Sequence, residues 1–180
     1  VKQFEYEMIE RSLINISAAA RGMEILCHNR EKGNTVILLI GQDCQSSSGQ
    51  INALADALDA MVISTQGGKT WVDCWQPRYR GVFGFAGHTT AREVLEHKAV
   101  GVVVALGTKL GQWATSGWDS RLLNDRLIHV HPVAEYFCRS AMAQLHIQGE
   151  VQSVINYWLE NIPWSQGELP EKDHIERDIN

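Results

Sequence analysis

Residues 100–107, VGVVVALG, are a continuous apolar, β-branched run stopped by a glycine. They lack the alternation of a half-exposed strand and have the length of a strand buried on both faces. Residues 35–41, TVILLIG, repeat the pattern, and residues 61–65 (MVIST) and 127–131 (LIHVH) give two shorter versions of it. A further strand is expected at residues 142–147. Strands of this kind need a cover on each face, and the sequence between them supplies helical patterns.

Upstream, Phe4, Met8, Leu13, Ile16, Ala20, Met23 and Cys27 recur at spacings of three to five, an amphipathic stripe that should stop near Gly33. Ile51, Leu54, Ala55 and Leu58 follow helical spacing behind Ser48 as the expected N-cap. Thr89 or Thr90 is expected to cap a helix through Lys98, and Val151, Val154, Ile155, Trp158 and Leu159 form the face of a closing helix. Alternation of buried strands with helices predicts an α/β fold, a doubly wound, mostly parallel, Rossmann-like sheet. Residues 66–87 and 108–126 are too irregular for an element and too long for simple turns, and read as functional or partner-facing loops.

The chain has 180 residues, 44% hydrophobic, enough for one domain with its own core. Its net charge of −5 argues against binding a nucleic-acid backbone. No apolar run approaches the roughly 20 residues of a membrane span, and no secretory leader pattern opens the chain, so a cytoplasmic protein is expected. Cys27, Cys44, Cys74 and Cys138 are widely spaced without CxxC pairs and read as free thiols. Residues 1–163 are taken as one α/β domain. Residues 164–180, with Glu168, Glu171, Asp173, Glu176 and Asp178 against Lys172 and Arg177, read as an acidic linker or tail, and the opening Val1 suggests a piece of a longer chain.

In an open parallel sheet the ligand lies beyond the carboxyl ends of the strands where their order reverses, which singles out Gly41, Thr65, Gly107 and His131. Residues 41–49, GQDCQSSSG, are not a GxGxxG fingerprint, and Asp43 holds the second glycine position. His129 and His131 share one face of a strand, yet no third ligand is spaced with them, and they read as structural histidines rather than a metal site. The serines lack a GxSxG context and read as caps, so no catalytic residue is assigned. Trp71, Trp75, Trp113 and Trp118 fall in the two irregular stretches, as contact surface or as core beneath a loop. Arg78, Arg80 and Lys109 lie there too, able to hold phosphates or carboxylates, with solvated surface charge as the plainer role.

Residues 80–110, RGVFGFAGHTTAREVLEHKAVGVVVALGTKL, taken with TVILLIG, MVIST and LIHVH in that order, resemble the central domain of thiamine diphosphate dependent enzymes such as acetolactate synthase, pyruvate oxidase and benzoylformate decarboxylase. The resemblance covers residues 10–160 and implies a fold of the DHS-like NAD/FAD-binding type. It implies a structural, nucleotide-binding or spacer domain of a carboligase or decarboxylase, whose thiamine diphosphate and magnesium are held by separate pyrimidine-binding and pyrophosphate-binding domains in a homodimer or homotetramer. The glycine-aspartate-glycine motif of the latter is absent, so the chain alone is expected to be catalytically silent. Some members carry FAD or ADP on this domain; by that resemblance Gly41, Gly84, Gly87, Gly107, Thr108 and Lys109 would line the cleft. Lys109 stands where flavin-binding members have a first arginine, the second arginine is lost, and His131 replaces a strand-end aspartate, which favours an ADP-like ligand or none over FAD. Two competing readings are a sirtuin-like NAD-dependent deacylase, against which the missing CxxC pairs count, and a stand-alone accessory subunit of an acetyl-CoA synthase type complex.

Overall fold

The computed structural model describes residues 14–45 and 47–163. The expected helical positions Phe4, Met8 and Leu13, and the acidic tail at 164–180, lie outside the described residues. Helix α1 (Ile16–Glu31) starts at Asn15, whose side-chain oxygen accepts from the Ala18 N–H at 3.0 Å. It is followed by β1 (Thr35–Ile40), α2 (Ser48–Leu58), β2 (Met61–Ser64), a 3₁₀ turn at Gly67–Trp71, β3 (Tyr79–Val82) and α3 (Thr89–Glu96). Next come β4 (Val100–Leu106), β5 (Leu127–His131), a 3₁₀ segment at Ala134–Ser140, β6 (Leu145–Gln148) and α4 (Val151–Asn161). The six strands form one sheet in the order β3-β2-β1-β4-β5-β6, and every pair is parallel. This is the doubly wound α/β arrangement that the buried runs predict, with the order reversing between β1 and β4.

Alternate residues of the central strands feed two cores. Val36, Leu38, Ile40, Val102 and Val104 face α1, α2 and α4, while Ile37, Leu39, Val103 and Ala105 face α3. On the α3 side the link from β4 to β5 contains no helix. Its Leu110, Leu122 and Leu123 fill the core where a crossover helix would stand. Of the tryptophans in the irregular stretches, Trp71 packs against the other core, whereas Trp75 is 95% and Trp113 71% exposed.

Several local expectations are corrected. The buried face of α1 is Ala19, Gly22, Leu26 and Arg30, one position away from the stripe of larger apolar residues. Gly22 sets that face: a Cβ there would lie 2.8 Å from Ile147 Cδ1 and 3.1 Å from Trp158, so the missing side chain lets β6 and α4 approach. Trp158 is fully buried and donates its Nε1–H to the Ala19 carbonyl at 2.8 Å, tying α4 to α1. Ser48 opens α2 instead of capping it. Ser47 holds the cap position without a side-chain bond to the helix, its hydroxyl reaching Gln45. At α3 the cap position is His88, and the helix ends at Glu96, not Lys98.

Strand β3 lies inside a stretch expected to be irregular, because four residues including Gly81 and Arg80 carry no apolar run. As an edge strand it needs none. His88 closes its outer side: its Nδ1 accepts from the Val82 N–H and its own N–H reaches the Val82 carbonyl, both at 2.8 Å. The Thr90 hydroxyl donates to the Arg80 carbonyl at 2.6 Å.

Where β1 and β4 end, their backbones touch: a Cβ on Gly41 would lie 2.2 Å from the Gly107 carbonyl oxygen and 2.6 Å from Thr108 Cα. Gly41→Ala should therefore cost about 3 kcal/mol, since backbone on both sides has to move. Gly49→Ala, in open space on α2, should be neutral or stabilising by up to about 1 kcal/mol. Urea denaturation of both variants measures this, and equal costs would refute the close-approach account.

Candidate functional site

The carboxyl ends of β1 and β4 are closed against each other. The Gly41 N–H donates to the Leu106 carbonyl at 2.8 Å and the Asp43 N–H to the Gly107 carbonyl at 2.9 Å. The Cys44 thiol, fully buried, reaches the Leu106 carbonyl at 3.1 Å. Burial pushes this thiol up to about 12, so it is an inert packing group. Gly107 takes φ +58°, a conformation a side chain disfavours, and a Cβ on it would lie 2.9 Å from Cys44 Sγ.

A cleft of about 510 Å³ opens beside this contact. That lies within the roughly 300–1,000 Å³ of small-molecule sites. One side is Gln42 with residues 65–67 after β2, a second is Phe83 and Phe85 after β3, and the third is residues 108–114 after β4, joined by Arg139. The third side is built by its neighbours. The Phe85 N–H donates to the Trp113 carbonyl at 2.9 Å, and the two rings meet edge to face at 4.8 Å. Gly84, at φ +124°, allows that contact, since a Cβ there would lie 2.6 Å from the Trp113 carbonyl oxygen. Gly87 closes the turn through its N–H to the Gly84 carbonyl at 3.0 Å.

The structure thus sorts the six expected cleft residues. Thr108 and Lys109 line the cleft, Gly41 and Gly107 precede its lining residues Gln42 and Thr108 without lining it themselves, and Gly84 and Gly87 shape the turn that presents Phe85. Arg78 lies away from it, bonded to Asp56 and Asp59 at the end of α2, and Arg80 sits on β3 with its side chain on the Pro77 carbonyl. Arg139 enters the site from the segment after β5, where sequence reasoning singled out no site residue. Nothing in its local pattern marks it, because it reaches the cleft from beyond β5, donating to the Lys109 carbonyl at 3.0 Å.

The charge of the lining is one-sided. Lys109 and Arg139 are its charged residues and neither Asp nor Glu lines it, in a chain of net charge −5. Both cations lie against Tyr136, at 5.4 and 5.3 Å from the ring centroid. Among the described residues, the backbone N–H groups of Lys109, Gly111, Gln112 and Trp113 have no protein acceptor, while that of Leu110 is taken by the Thr108 hydroxyl. Two cations, free amides and exposed aromatic rings suit an anionic ligand with a flat ring.

Asp43 is not left to repel such a ligand: its carboxylate meets His131 Nε2 at 3.1 Å. His131 Nδ1 accepts from the Val133 N–H, so the ring nitrogen facing Asp43 carries the proton. His129 is fully buried between the Thr108 carbonyl and the Ser140 hydroxyl, each at 2.8 Å. Burial pushes its pKa down to about 4, against the opposing pull of the Thr108 carbonyl. Among the described residues no group of three or more His, Cys, Asp or Glu is placed to hold a metal ion. No helix of the described residues is long and apolar enough to cross a membrane.

Comparison with known proteins gives one family: the model for the central domain of thiamine pyrophosphate enzymes matches residues 31–157. The matched span runs from the end of α1 into α4 and contains every strand and the whole cleft. No curated protein matches the chain significantly.

The buried His129 links stability to pH. The unfolded chain binds a proton near 6.5 that the folded chain refuses until about 4, so stability is full above 6.5, falls as pH drops through that window and levels off below it. Between pH 7 and pH 5 the loss from this group should be about 2 kcal/mol. Urea denaturation at the two pH values, in the native chain and in His129→Gln, should show a smaller drop for the variant; identical drops would assign the effect elsewhere.

Proposed function

The chain belongs to the thiamine pyrophosphate enzyme central-domain family, and on that premise we propose that it is the nucleotide-carrying central domain of a carboligase or decarboxylase. The observation that supports this most is the cleft: cationic, rimmed by aromatic rings, and placed at the strand ends beside the reversal point of the sheet. We assign it an ADP-like ligand. Lys109 and Arg139 face the diphosphate, with the free amides of the 108–114 segment adding donors. Trp113 and Phe85 flank the base.

The second cation matters to this choice. Lys109 alone is a point charge, whereas the guanidinium of Arg139 offers a planar fork to two phosphate oxygens. An acidic residue that would hydrogen-bond the ribose of a dinucleotide is absent at the end of β2, where Ser64, Thr65 and Gln66 stand. FAD is accordingly the weaker candidate.

Thiamine diphosphate and magnesium do not fit these residues. The cleft presents no carboxylate to a diphosphate-bound cation, and we assign both groups to the pyrimidine-binding and pyrophosphate-binding domains of the parent chain, in a homodimeric or homotetrameric enzyme. What this domain contributes is binding and spacing. The match is to neither a sirtuin-like deacylase nor an accessory subunit of an acetyl-CoA synthase type complex.

Calorimetric titration of the chain with ADP, FAD and thiamine diphosphate plus magnesium tests the reading. ADP should bind, FAD more weakly, and thiamine diphosphate not at all. Lys109→Ala and Arg139→Ala should each weaken ADP by about tenfold, the loss of one charge-assisted hydrogen bond, and added salt should weaken it further. An ADP affinity unmoved in the double variant would remove the cleft as its site.

A further inference from the structure

Three histidines converge behind the cleft without lining it: His129 and His131 on β5 and His146 on β6. Their hydrogen bonds have one consistent direction. The Thr108 carbonyl can only accept, so in the neutral His129 ring Nε2 carries the hydrogen and Nδ1 must accept. The Ser140 hydroxyl, 2.8 Å from that Nδ1, is therefore its donor. His146 Nε2 lies 2.9 Å from the Ser140 carbonyl and 3.1 Å from its hydroxyl oxygen, and donates to both. The relay runs from His146 to Ser140 to His129 and ends on Thr108.

Two of its members, Thr108 and Ser140, belong to the two segments that make the cationic wall. Thr108 begins the 108–114 side of the cleft, and its hydroxyl accepts from the N–H of the buried Leu110, which takes φ +46°. Ser140 adjoins Arg139, which crosses to the Lys109 carbonyl. Phe137 covers the relay, its ring 5.1 Å from His129 and 4.8 Å from His146. The titratable and charged groups around His129 are His131 at 6.1 Å and His146 at 6.3 Å between ring centroids, with Asp43 bonded to His131, and Lys109 and Arg139 over Tyr136. A neutral His129 is the state in which all of these bonds are made at once.

We propose that His129 and Ser140 are positioning residues for the cleft: their relay locks the Thr108–Lys109 turn to the Ala134–Ser140 segment and so keeps Lys109 and Arg139 on one wall, facing one anionic ligand. This rests on the nucleotide reading of the cleft and adds what holds the two cations in place. Neither residue touches the ligand. The alternative for a serine at this depth is a packing role in which its hydroxyl serves only the Phe137 carbonyl, at 3.3 Å.

The test has two arms on the 180-residue chain. Long-range ¹⁵N spectra of the native protein between pH 8 and pH 5 should show His129 protonated at Nε2 alone throughout; a ring protonated at Nδ1, or one charged by pH 6, would overturn the relay. In the second arm, ADP is titrated by backbone amide NMR into the native chain, Ser140→Ala and Ser140→Thr. Loss of the hydroxyl should weaken ADP about tenfold, roughly one hydrogen bond, and shift the amides of residues 108–114, while the Thr variant restores both. Native affinity in Ser140→Ala, or unmoved amides at 108–114, would reduce Ser140 to packing. Should Ser140→Ala not fold, the tautomer of the native ring decides the matter. Failure of the native chain to take ADP would refute the nucleotide reading, with the tautomer and the 108–114 amides still judging whether the relay sets the wall.

Discussion

The contact between the backbone at Gly41 and the backbone at Gly107 fixes most of what lies above the sheet. A side chain on either glycine would force β1 and β4 apart at the point where the strand order reverses. Without one, the peptide groups meet, Asp43 and Cys44 bond across the gap, and the space usually left at a reversal point becomes solid. The opening is displaced toward β2 and β3, and the remaining wall of the cleft falls to the segment after β4. Glycine in both places thus supplies a close approach, where a nucleotide fingerprint would have used it to admit phosphate.

The segment from residue 108 to 126 does two jobs in consequence. It covers the α3 face of the sheet in place of a helix, through Leu110, Leu122 and Leu123. It also forms the cationic side of the cleft. An irregular chain over a sheet leaves backbone donors without regular partners. Here the Thr108 and Thr115 hydroxyls take some of that load, Thr115 accepting from the Trp118 N–H and donating to the Gly111 carbonyl. The N–H groups of Lys109, Gly111, Gln112 and Trp113, among the described residues without a protein acceptor, lie on the cleft, which joins the absence of a crossover helix to a row of free donors on its wall.

The buried strands were legible because burial on both faces leaves an uninterrupted apolar run, and TVILLI and VGVVVAL appear in the sheet with the bounds their glycines set. β3 was not, since an edge strand that pairs on one side needs no such run. The face of α1 was displaced by one residue because Gly22, which apolar periodicity ignores, governs how closely α4 comes. At the site, Thr108 and Lys109 were legible through the family resemblance, and Lys109 also as a cation in an irregular stretch. Arg139 was not, because its entry depends on β5 crossing beside β4 and on a hydrogen bond to a backbone carbonyl, neither of which leaves a local pattern. The tryptophans divided in the same way: only the packing around the loop distinguishes the half-buried Trp71 from the exposed Trp113.

The outer side of β3 carries a last consequence. An unpaired strand edge invites a strand from another molecule, and here the two polar groups of Val82 are already engaged by His88, with the Arg80 carbonyl taken by Thr90. The sheet therefore cannot be continued on this side without first dismantling the start of α3. Recognition at that flank must proceed through protruding side chains, and two copies of the domain brought together at high concentration could not stitch their β3 edges into a shared sheet.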